Sequence, residues 1–263
     1  MSKRLRETFA RGRAGGRPLF IPYITAGYPT REDTVPILLA MEAGGADVLE
    51  IGVPFTDPLA DGATIQHANF VAVANGVTLE TCFELVREAR LEGLTVPLLL
   101  MGYYNPILAF GEDRAAAEAR SAGVDGFIVV DLPPEEAASF ISACRANGLA
   151  FVPLVAPTTS EQRMELLAKA ADAFIYCVSV SGTTGQRTAM AEELPDFVAR
   201  VRRHTSLPLA VGFGISTREH VAAVGRVADA AVVGSAIIAV VDAAKAERRA
   251  QSVREFVEDV TGR

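Results

Sequence analysis

Short apolar runs alternate with longer amphipathic segments along the chain, and this alternation repeats eight times. The runs lie at residues 18–26, 46–51, 96–101, 126–130, 149–154, 173–178, 207–211 and 230–233. Nearly every run is apolar throughout, which is typical of parallel strands that are covered on both faces. A turn containing Gly or Pro and then a helical pattern follow each run. The pattern therefore predicts eight consecutive strand–helix units.

Capping residues mark where many of the predicted helices begin. Residues that can cap the following helix are Thr30, Thr78, Thr159 or Ser160, and Ser216. Pro134 stands where the helix of the fourth unit would begin, a position that tolerates proline. Additional helices are predicted in the basic segment 1–16, where Leu5 and Phe9 form an apolar stripe, at 64–74, and after the eighth strand.

Eight such units in 263 residues match the size of one (β/α)8 TIM barrel. We therefore predict an α/β fold in which residues 1–263 form a single barrel domain. It would carry an extra N-terminal helix and short extra helices after strands 2 and 8. A doubly wound open sheet is the alternative that the same pattern allows. No linker-like segment divides the chain.

Composition and charge exclude several classes of protein and indicate the cellular compartment. The net charge of −7 argues against a nucleic-acid-binding surface. No uninterrupted apolar run reaches the roughly 18 residues of a membrane span, and the N-terminal segment lacks the apolar core of a secretory signal. Cys82, Cys144 and Cys177 are far apart and form no CxxC motif, which indicates a reducing compartment and argues against a zinc site. We expect a cytoplasmic protein.

The second strand and the turn after it carry acidic residues in unexpected places. Glu50 interrupts an apolar strand near its end, where a residue that only filled the core would be Val or Leu. Asp57 and Asp61 follow in a turn stiffened by two prolines. The active site of a barrel lies at the carboxyl ends of its strands, which is where these acids fall. Two other interpretations remain open: Glu50 as a buried acid paired with an arginine, and Asp61 as the cap of the helix at 62–74.

Glycines follow the seventh and eighth strands, each just ahead of a helix. They are Gly212 and Gly214 after the seventh strand, and Gly234, followed by Ser235, after the eighth. Backbone N–H groups at a helix start bind anions, and these two loops are the usual phosphate site of a barrel. The sequence thus predicts a phosphate cradle at this rim. The same glycines would also suit tight turns that bind nothing.

Other reactive residues are poorly placed for catalysis. No lysine ends a strand, so a Schiff-base mechanism has no nucleophile. The histidines share no metal-binding spacing, and the chain contains no GxSxG motif. The lysines are Lys3, Lys169 and Lys245, and the histidines are His67, His204 and His220. What remains is acid–base chemistry by carboxylates on a phosphorylated substrate, without a metal ion.

The segment LEIGVPFTDPLADGATIQ at 49–66 resembles the signature of the tryptophan synthase α chain family, whose members are (β/α)8 barrels. Other stretches that resemble this family are PLFIPYITAGYP, MGYYNPIL, VVDLPPEE, APTTS, FIYCVSVSGTTG, AVGFGIST and VVGSAII. The resemblance covers essentially the whole chain. It departs from the family pattern at Ala63, where many members have Pro, and at Gly102, where a larger residue is usual.

The resemblance implies a retro-aldol cleavage of indole-3-glycerol phosphate into indole and glyceraldehyde 3-phosphate. Glu50 would shuttle protons, and Asp61 would accept a hydrogen bond from the indole N–H. Residues implied to hold the phosphate are Gly185, Gly214, Gly234 and Ser235. Residues implied to line the indole pocket are Tyr23, Ile65, Tyr103, Tyr176 and Phe213, for which ordinary barrel packing is the alternative. Thr184 would close the strand-6 loop onto Asp61.

The resemblance also implies a partner, the pyridoxal-phosphate-dependent β subunit, in an αββα assembly. Asp57 and Pro58, with the loop near Asn105 and Pro106, are predicted to contact it, whereas a solvated turn is the alternative for the first two. No lysine is placed to bind pyridoxal phosphate, so no cofactor is expected in this chain. Two other functions stay open: a standalone indole-releasing lyase, and a non-catalytic regulatory barrel that only activates a partner.

Overall fold

The computed structural model describes residues 2–178, 186–212 and 214–263, with only the backbone described for 186–192. The strands are β1 (Leu19–Thr25), β2 (Leu49–Gly52), β3 (Leu98–Gly102), β4 (Gly126–Val129), β5 (Ala150–Phe151), β6 (Leu154–Val155), β7 (Ile175–Val178), β8 (Leu209–Gly212) and β9 (Ala230–Val233). The helices are α1 (Lys3–Ala14), α2 (Arg31–Ala43), α3 (Ala63–Ala74), α4 (Leu79–Leu91), α5 (Tyr104–Phe110), α6 (Glu112–Ala122), α7 (Ala138–Ala146), α8 (Glu161–Ala170), α9 (Gln186–Arg202), α10 (Arg218–Gly225), α11 (Ser235–Ala243) and α12 (Arg249–Thr261). In the described ranges, none of these helices is long and apolar enough to cross a membrane.

All the strand pairs are parallel, in the order β5-β4-β3-β2-β1-β9-β8-β7-β6. The two strands at the ends of this order are halves of one segment, the predicted fifth strand, interrupted at Pro153, which has no N–H to donate. The segment bonds to both neighbours: Val152 N donates to Phe127 O at 2.9 Å, and Tyr176 N donates to Pro153 O at 3.0 Å. The sheet therefore closes on itself as the predicted (β/α)8 barrel, and the open-sheet alternative is wrong.

Alternate residues of the strands point into the barrel. The interior cluster contains Leu19 and Ile21 from β1, Val232 from β9 and Phe174 just before β7, all buried. Outward-facing residues of the same strands pack against the surrounding helices. The apolar face of α1 joins the interior cluster, and the ring of Phe9 lies 5.0 Å from that of Phe174. The predicted N-terminal helix thus covers the end of the barrel at which the strands begin.

Four aspartates brace that same end of the barrel in a repeating arrangement. Each stands shortly before a strand, accepts a hydrogen bond from a backbone N–H of the neighbouring strand, and forms an ion pair with an arginine. The sets are Asp47 with Phe20 N and Arg17, Asp125 with Leu98 N and Arg90, Asp172 with Phe151 N and Arg145, and Asp229 with Leu209 N and Arg202. The strands that they precede are β2, β4, β7 and β9, which are every second strand of the barrel. No local pattern in the sequence predicts this repeat.

Two helix starts differ from the expectations, and one helix was not predicted. Helix α7 begins at Ala138, because Pro134 lies in a turn that precedes the helix. The cap of α10 is Thr217 rather than Ser216: Thr217 has the extended backbone of an N-cap, and its side chain accepts a hydrogen bond from His220 N. Helix α5 was not predicted, since its Asn-Pro sequence is typical of a turn, yet a proline in the first helical turn requires no intrahelical N–H bond.

Candidate active site

Glu50 lies inside the barrel on β2, in register with Tyr23 of β1 and Leu99 of β3. Its side chain has 0% exposure, and neither carboxyl oxygen has a hydrogen-bond partner among the described residues. Burial raises the pKa of Glu50 well above its usual value, because the charged form has lost its hydration. The alternative of a buried ion pair with an arginine is not supported in the described part of the chain. These surroundings favour the protonated form of the carboxyl group.

Two buried tyrosines flank Glu50 within the barrel, Tyr23 on β1 and Tyr176 on β7. Burial raises the pKa of both hydroxyls, so each remains a proton donor. Glycines make room for the rings: a Cβ on Gly52 would lie 2.0 Å from the Tyr23 hydroxyl, and one on Gly212 would lie 2.8 Å from that of Tyr176. Larger residues at these two positions would displace the rings next to the carboxyl group.

Asp61 lies in the loop after β2, at the carboxyl end of the barrel. The Tyr103 hydroxyl donates to its Oδ2 at 3.2 Å, and Asn69 Nδ2 approaches the same oxygen at 3.4 Å. Burial raises the pKa of Asp61 to about 6, although the hydrogen bond from Tyr103 works in the opposite direction. The carboxyl group is therefore mostly ionised at neutral pH. It does not cap α3, whose N-cap is Gly62 with no side-chain hydrogen bond.

The loop that carries Asp61 is braced by residues that the sequence analysis missed. Asn69, 2% exposed, accepts from Phe55 N at 3.1 Å at the beginning of the loop. Gln66 Nε2 donates to the backbone oxygen of Asp61 at 2.9 Å at its end. The Phe55 ring stacks on Tyr103 at a centroid distance of 5.0 Å. A polar residue on the buried face of α3 was the available signal, since Asn is seldom buried without a bonding role.

The predicted phosphate cradle lies at the start of α11. Gly234 is the N-cap and offers no side chain, and the first intrahelical bond runs from Ile238 N to Gly234 O. The preceding N–H groups of the first turn, including that of the exposed Ser235, therefore remain available to an anion. Gly214 has a left-handed backbone with φ of 59°, which favours glycine there for a conformational reason as well.

The described residues of the predicted pocket adjoin one another. A Cβ on Gly234 would lie 3.4 Å from Tyr23 Cδ1 and 3.6 Å from Ile65 Cδ1, so the start of α11 lies against the residues expected to contact indole. Tyr103 contacts Asp61, and Tyr176 lies near Glu50. Three predicted residues lie outside the described part of the chain: Thr184, Gly185 and Phe213.

Of the two predicted partner contacts in the Asp61 loop, Asp57 is at the surface and Pro58 is not. Asp57 is exposed and accepts a hydrogen bond from the Thr56 hydroxyl at 2.6 Å. Pro58 is buried, which leaves the adjacent Leu59, 88% exposed, as the apolar surface of this loop. The segment near Asn105 and Pro106, predicted as a loop, is helix α5, and its Leu108 is 55% exposed.

These features define a class of protein. A closed barrel that carries two carboxyl groups of raised pKa and an uncapped helix start at one end has the architecture of a (β/α)8 enzyme, whose active site lies at that end. The chain belongs to the tryptophan synthase alpha chain family, whose model matches residues 9–262.

Individual relatives agree with this assignment. The tryptophan synthase alpha chain of Roseiflexus sp. (strain RS-1) is 49% identical over 98% of this chain and 99% of its own length. The tryptophan synthase of Saccharomyces cerevisiae is 51% identical over 99% of this chain, which spans 37% of that protein's length. Among solved structures, tryptophan synthase subunit alpha from Legionella pneumophila has a TM-score of 0.91 at 36% identity, covering 99% of this chain and 97% of that one.

Membership of this family establishes the reaction class. The family cleaves indole-3-glycerol phosphate, which is a carbon–carbon lyase reaction, and this chain has the alpha-subunit role in tryptophan biosynthesis. An alpha chain needs no cofactor of its own, and its identity implies a β-subunit partner. The standalone lyase and the regulatory barrel are not favoured by these relatives.

Proposed function

We propose that Glu50 and Asp61 divide the acid–base work in the cleavage of indole-3-glycerol phosphate to indole and glyceraldehyde 3-phosphate. The observation that carries this proposal is the buried Glu50 carboxyl group, which has no hydrogen-bond partner among the described residues. A buried polar group left without a partner destabilises a fold, so a substrate-directed role accounts for its presence.

The cleavage needs protons to be delivered and removed in turn. The protonated Glu50 carboxyl group gives its proton to carbon 3 of the indole ring, which becomes a cationic indolenine. The resulting carboxylate then accepts the proton of the neighbouring side-chain hydroxyl. The electron pair of the breaking carbon–carbon bond returns to the ring, and the hydroxyl becomes the aldehyde of glyceraldehyde 3-phosphate. Glu50 ends the cycle protonated, so no external acid or base is consumed.

Asp61 stabilises the cation formed between these two steps. Its carboxylate accepts a hydrogen bond from the ring N–H, which becomes a stronger donor when the ring is protonated. Tyr103 and Asn69 both hold Oδ2 of this carboxylate. The different pKa values of the two acids follow from their surroundings: Glu50 is enclosed by the barrel, while Asp61 retains a donor and partial exposure.

A bell-shaped pH profile is expected from this division. Below about pH 6, Asp61 becomes protonated and kcat/KM falls, since the neutral acid no longer stabilises the cation. As the pH rises through the raised pKa of Glu50, kcat/KM falls because Glu50 loses the proton that it donates. The test is kcat/KM across this range for wild type and Asp61→Asn. Persistence of the same acid limb in Asp61→Asn would contradict the assignment.

The start of α11 is proposed to bind the substrate's phosphate, together with Gly214 and, from the family resemblance, Gly185. Ser235→Asp places a negative charge in the first turn of this helix. We expect KM for indole-3-glycerol phosphate to rise about 100-fold, the equivalent of two tenfold steps of about 1.4 kcal/mol each. Ser235→Ala is the matched control and should change KM much less, because the backbone N–H groups remain. An unchanged KM in Ser235→Asp would remove this helix start from the site.

The loops near Asp57 and Leu59 are proposed to bind the β subunit, in which pyridoxal phosphate is expected, within a cytoplasmic αββα assembly. Exposed apolar side chains on the Asp61 loop and on α5, Leu59 and Leu108, support this surface. The direct test measures indole release from indole-3-glycerol phosphate by the purified chain, alone and after addition of a β subunit. Activation upon addition is the expected result, whereas equal rates would favour the standalone lyase.

A further inference from the structure

Tyr28 lies in the turn after β1, outside the residues assigned above, and contacts two helices of the site. Its hydroxyl donates a hydrogen bond to Asp242 in the last turn of α11. Its ring meets the His67 ring of α3 edge to face, at 6.1 Å between centroids. Tyr28 is only 4% exposed, so it is held between the two helices.

The turn around Tyr28 is itself fixed in place. Asn75, the C-cap of α3, donates through Nδ2 to the backbone oxygens of Gly27 and Pro29, both at 2.9 Å. Gly27 N donates to the Thr34 hydroxyl at 2.9 Å. Burial, together with the hydrogen bond to Asp242, raises the pKa of Tyr28 to about 12, so the hydroxyl remains a donor throughout the working pH range. The tyrosine is therefore a rigid attachment point and not a mobile surface side chain.

The two helices that Tyr28 touches are those whose starts carry the site. Helix α3 follows Asp61, and α11 begins with the proposed phosphate cradle at Gly234 and Ser235. Helix α11 has nine residues, a length of about 14 Å, so restraining its last turn restrains the direction of its first N–H groups. Its buried face still packs into the protein through Ile237, Ile238 and Val241 when the hydrogen bond is absent.

We propose that Tyr28 is a positioning residue for phosphate binding: its hydrogen bond to Asp242 sets the direction in which the start of α11 meets the substrate. This inference rests on the proposed role of that helix start. It predicts an effect on affinity for the phosphate group and little effect on the proton transfers, because Glu50 is carried by a different element, β2.

The test compares Tyr28→Phe with wild type. The variant keeps the ring contact with His67 and loses only the O–H donor. We expect KM for indole-3-glycerol phosphate to rise about three- to tenfold, with kcat within about twofold, as suits one hydrogen bond to a charged acceptor. The inhibition constant of inorganic phosphate should rise by the same factor. Asp242→Ala should raise KM by the same factor as Tyr28→Phe, and the double variant should raise KM no further than either single variant. Asp242→Asn keeps an acceptor and should recover part of the affinity.

Tyr104→Phe is the matched control, because it removes a tyrosine hydroxyl that donates to another carboxylate, Glu112, at 2.8 Å. It should leave both constants unchanged. The proposal is overturned if Tyr28→Phe and Asp242→Ala leave KM and phosphate inhibition unchanged, or if they lower kcat alone. Ser235→Asp separates the proposed role of Tyr28 from that of the helix start. If Ser235→Asp raises KM while Tyr28→Phe has no effect, only the proposed role of Tyr28 is wrong. If Ser235→Asp has no effect, the cradle itself is wrong.

Discussion

Glu50→Gln is expected to lower kcat for indole release by about a hundredfold to ten-thousandfold, the usual range for loss of a general acid–base group. Glutamine has nearly the same shape but cannot deliver a proton to the ring or accept one from the hydroxyl. KM should change little, because the phosphate contacts lie on other elements. Steady-state indole release with saturating substrate measures the effect. Full activity in this variant would exclude the proposed mechanism.

The same substitution should not weaken the fold. Because the folded-state pKa of Glu50 is raised, its contribution is most favourable at low pH and becomes less favourable as the pH rises from the unfolded-state pKa through the folded-state pKa. Glutamine carries no charge at any of these pH values, so Glu50→Gln should unfold at an equal or higher temperature at alkaline pH. The exposed Glu88→Gln is the matched control and should leave both rate and stability unchanged. A large loss of stability in Glu50→Gln would mean that its lower kcat reflects unfolding rather than loss of the acid–base group.

Asp125→Ala is expected to destabilise the protein by about 3–5 kcal/mol, the cost of breaking a buried ion pair by removing one partner. Asp125 is 2% exposed and accepts from Leu98 N at 3.0 Å, from Arg90 at 3.1 Å and from the Ser2 hydroxyl at 2.7 Å. The alanine variant leaves the Leu98 N–H without its acceptor and Arg90 without its counter-charge. Urea unfolding of wild type and variant gives the difference.

The control for Asp125→Ala is an exposed ion pair of similar length. Glu118 accepts from Arg87 at 2.9 Å, and both side chains are more than 40% exposed. Glu118→Ala should therefore cost no more than about 1 kcal/mol. Activity per folded molecule should be unchanged in Asp125→Ala, because the residue lies at the opposite end of the barrel from Glu50. Equal destabilisation by the two alanine variants would contradict the bracing role.

The barrel and its principal acids could be predicted from sequence because each had a local signal. Eight apolar runs with helical segments between them define the units, and a carboxylate in an apolar strand is costly enough to draw attention to Glu50. The start of α11 was predictable because glycine and a small polar residue directly follow a strand. The roles of Thr184, Gly185 and Phe213 remain predictions that rest on resemblance.

Features that depend on contacts between distant segments gave no such signal. The hydrogen bonds of Asn69 to the Asp61 loop need the path of the chain, as does the pairing of Tyr28 with Asp242. In the sequence, each bracing aspartate is indistinguishable from an ordinary turn residue, because its hydrogen bond to the N–H of the neighbouring strand exists only in the fold. Helix α5 was hidden because its Asn-Pro sequence suits a turn equally well. Non-local geometry, rather than composition, decided each case.

The interruption at Pro153 leaves the fifth strand of the barrel more weakly paired than the other strands. The segment 150–155 has only two paired residues with each neighbouring strand, and a cavity of 330 Å³ lined partly by Pro153 and Leu154 lies beside it. Sub-global opening proceeds where few hydrogen bonds must break, so this segment should separate from β4 or β7 more readily than the other strands separate from their neighbours. Glu50 and the start of α11 both lie far round the wall from it. The side of the barrel that carries Glu50 and the start of α11 can therefore remain ordered while the opposite side opens transiently.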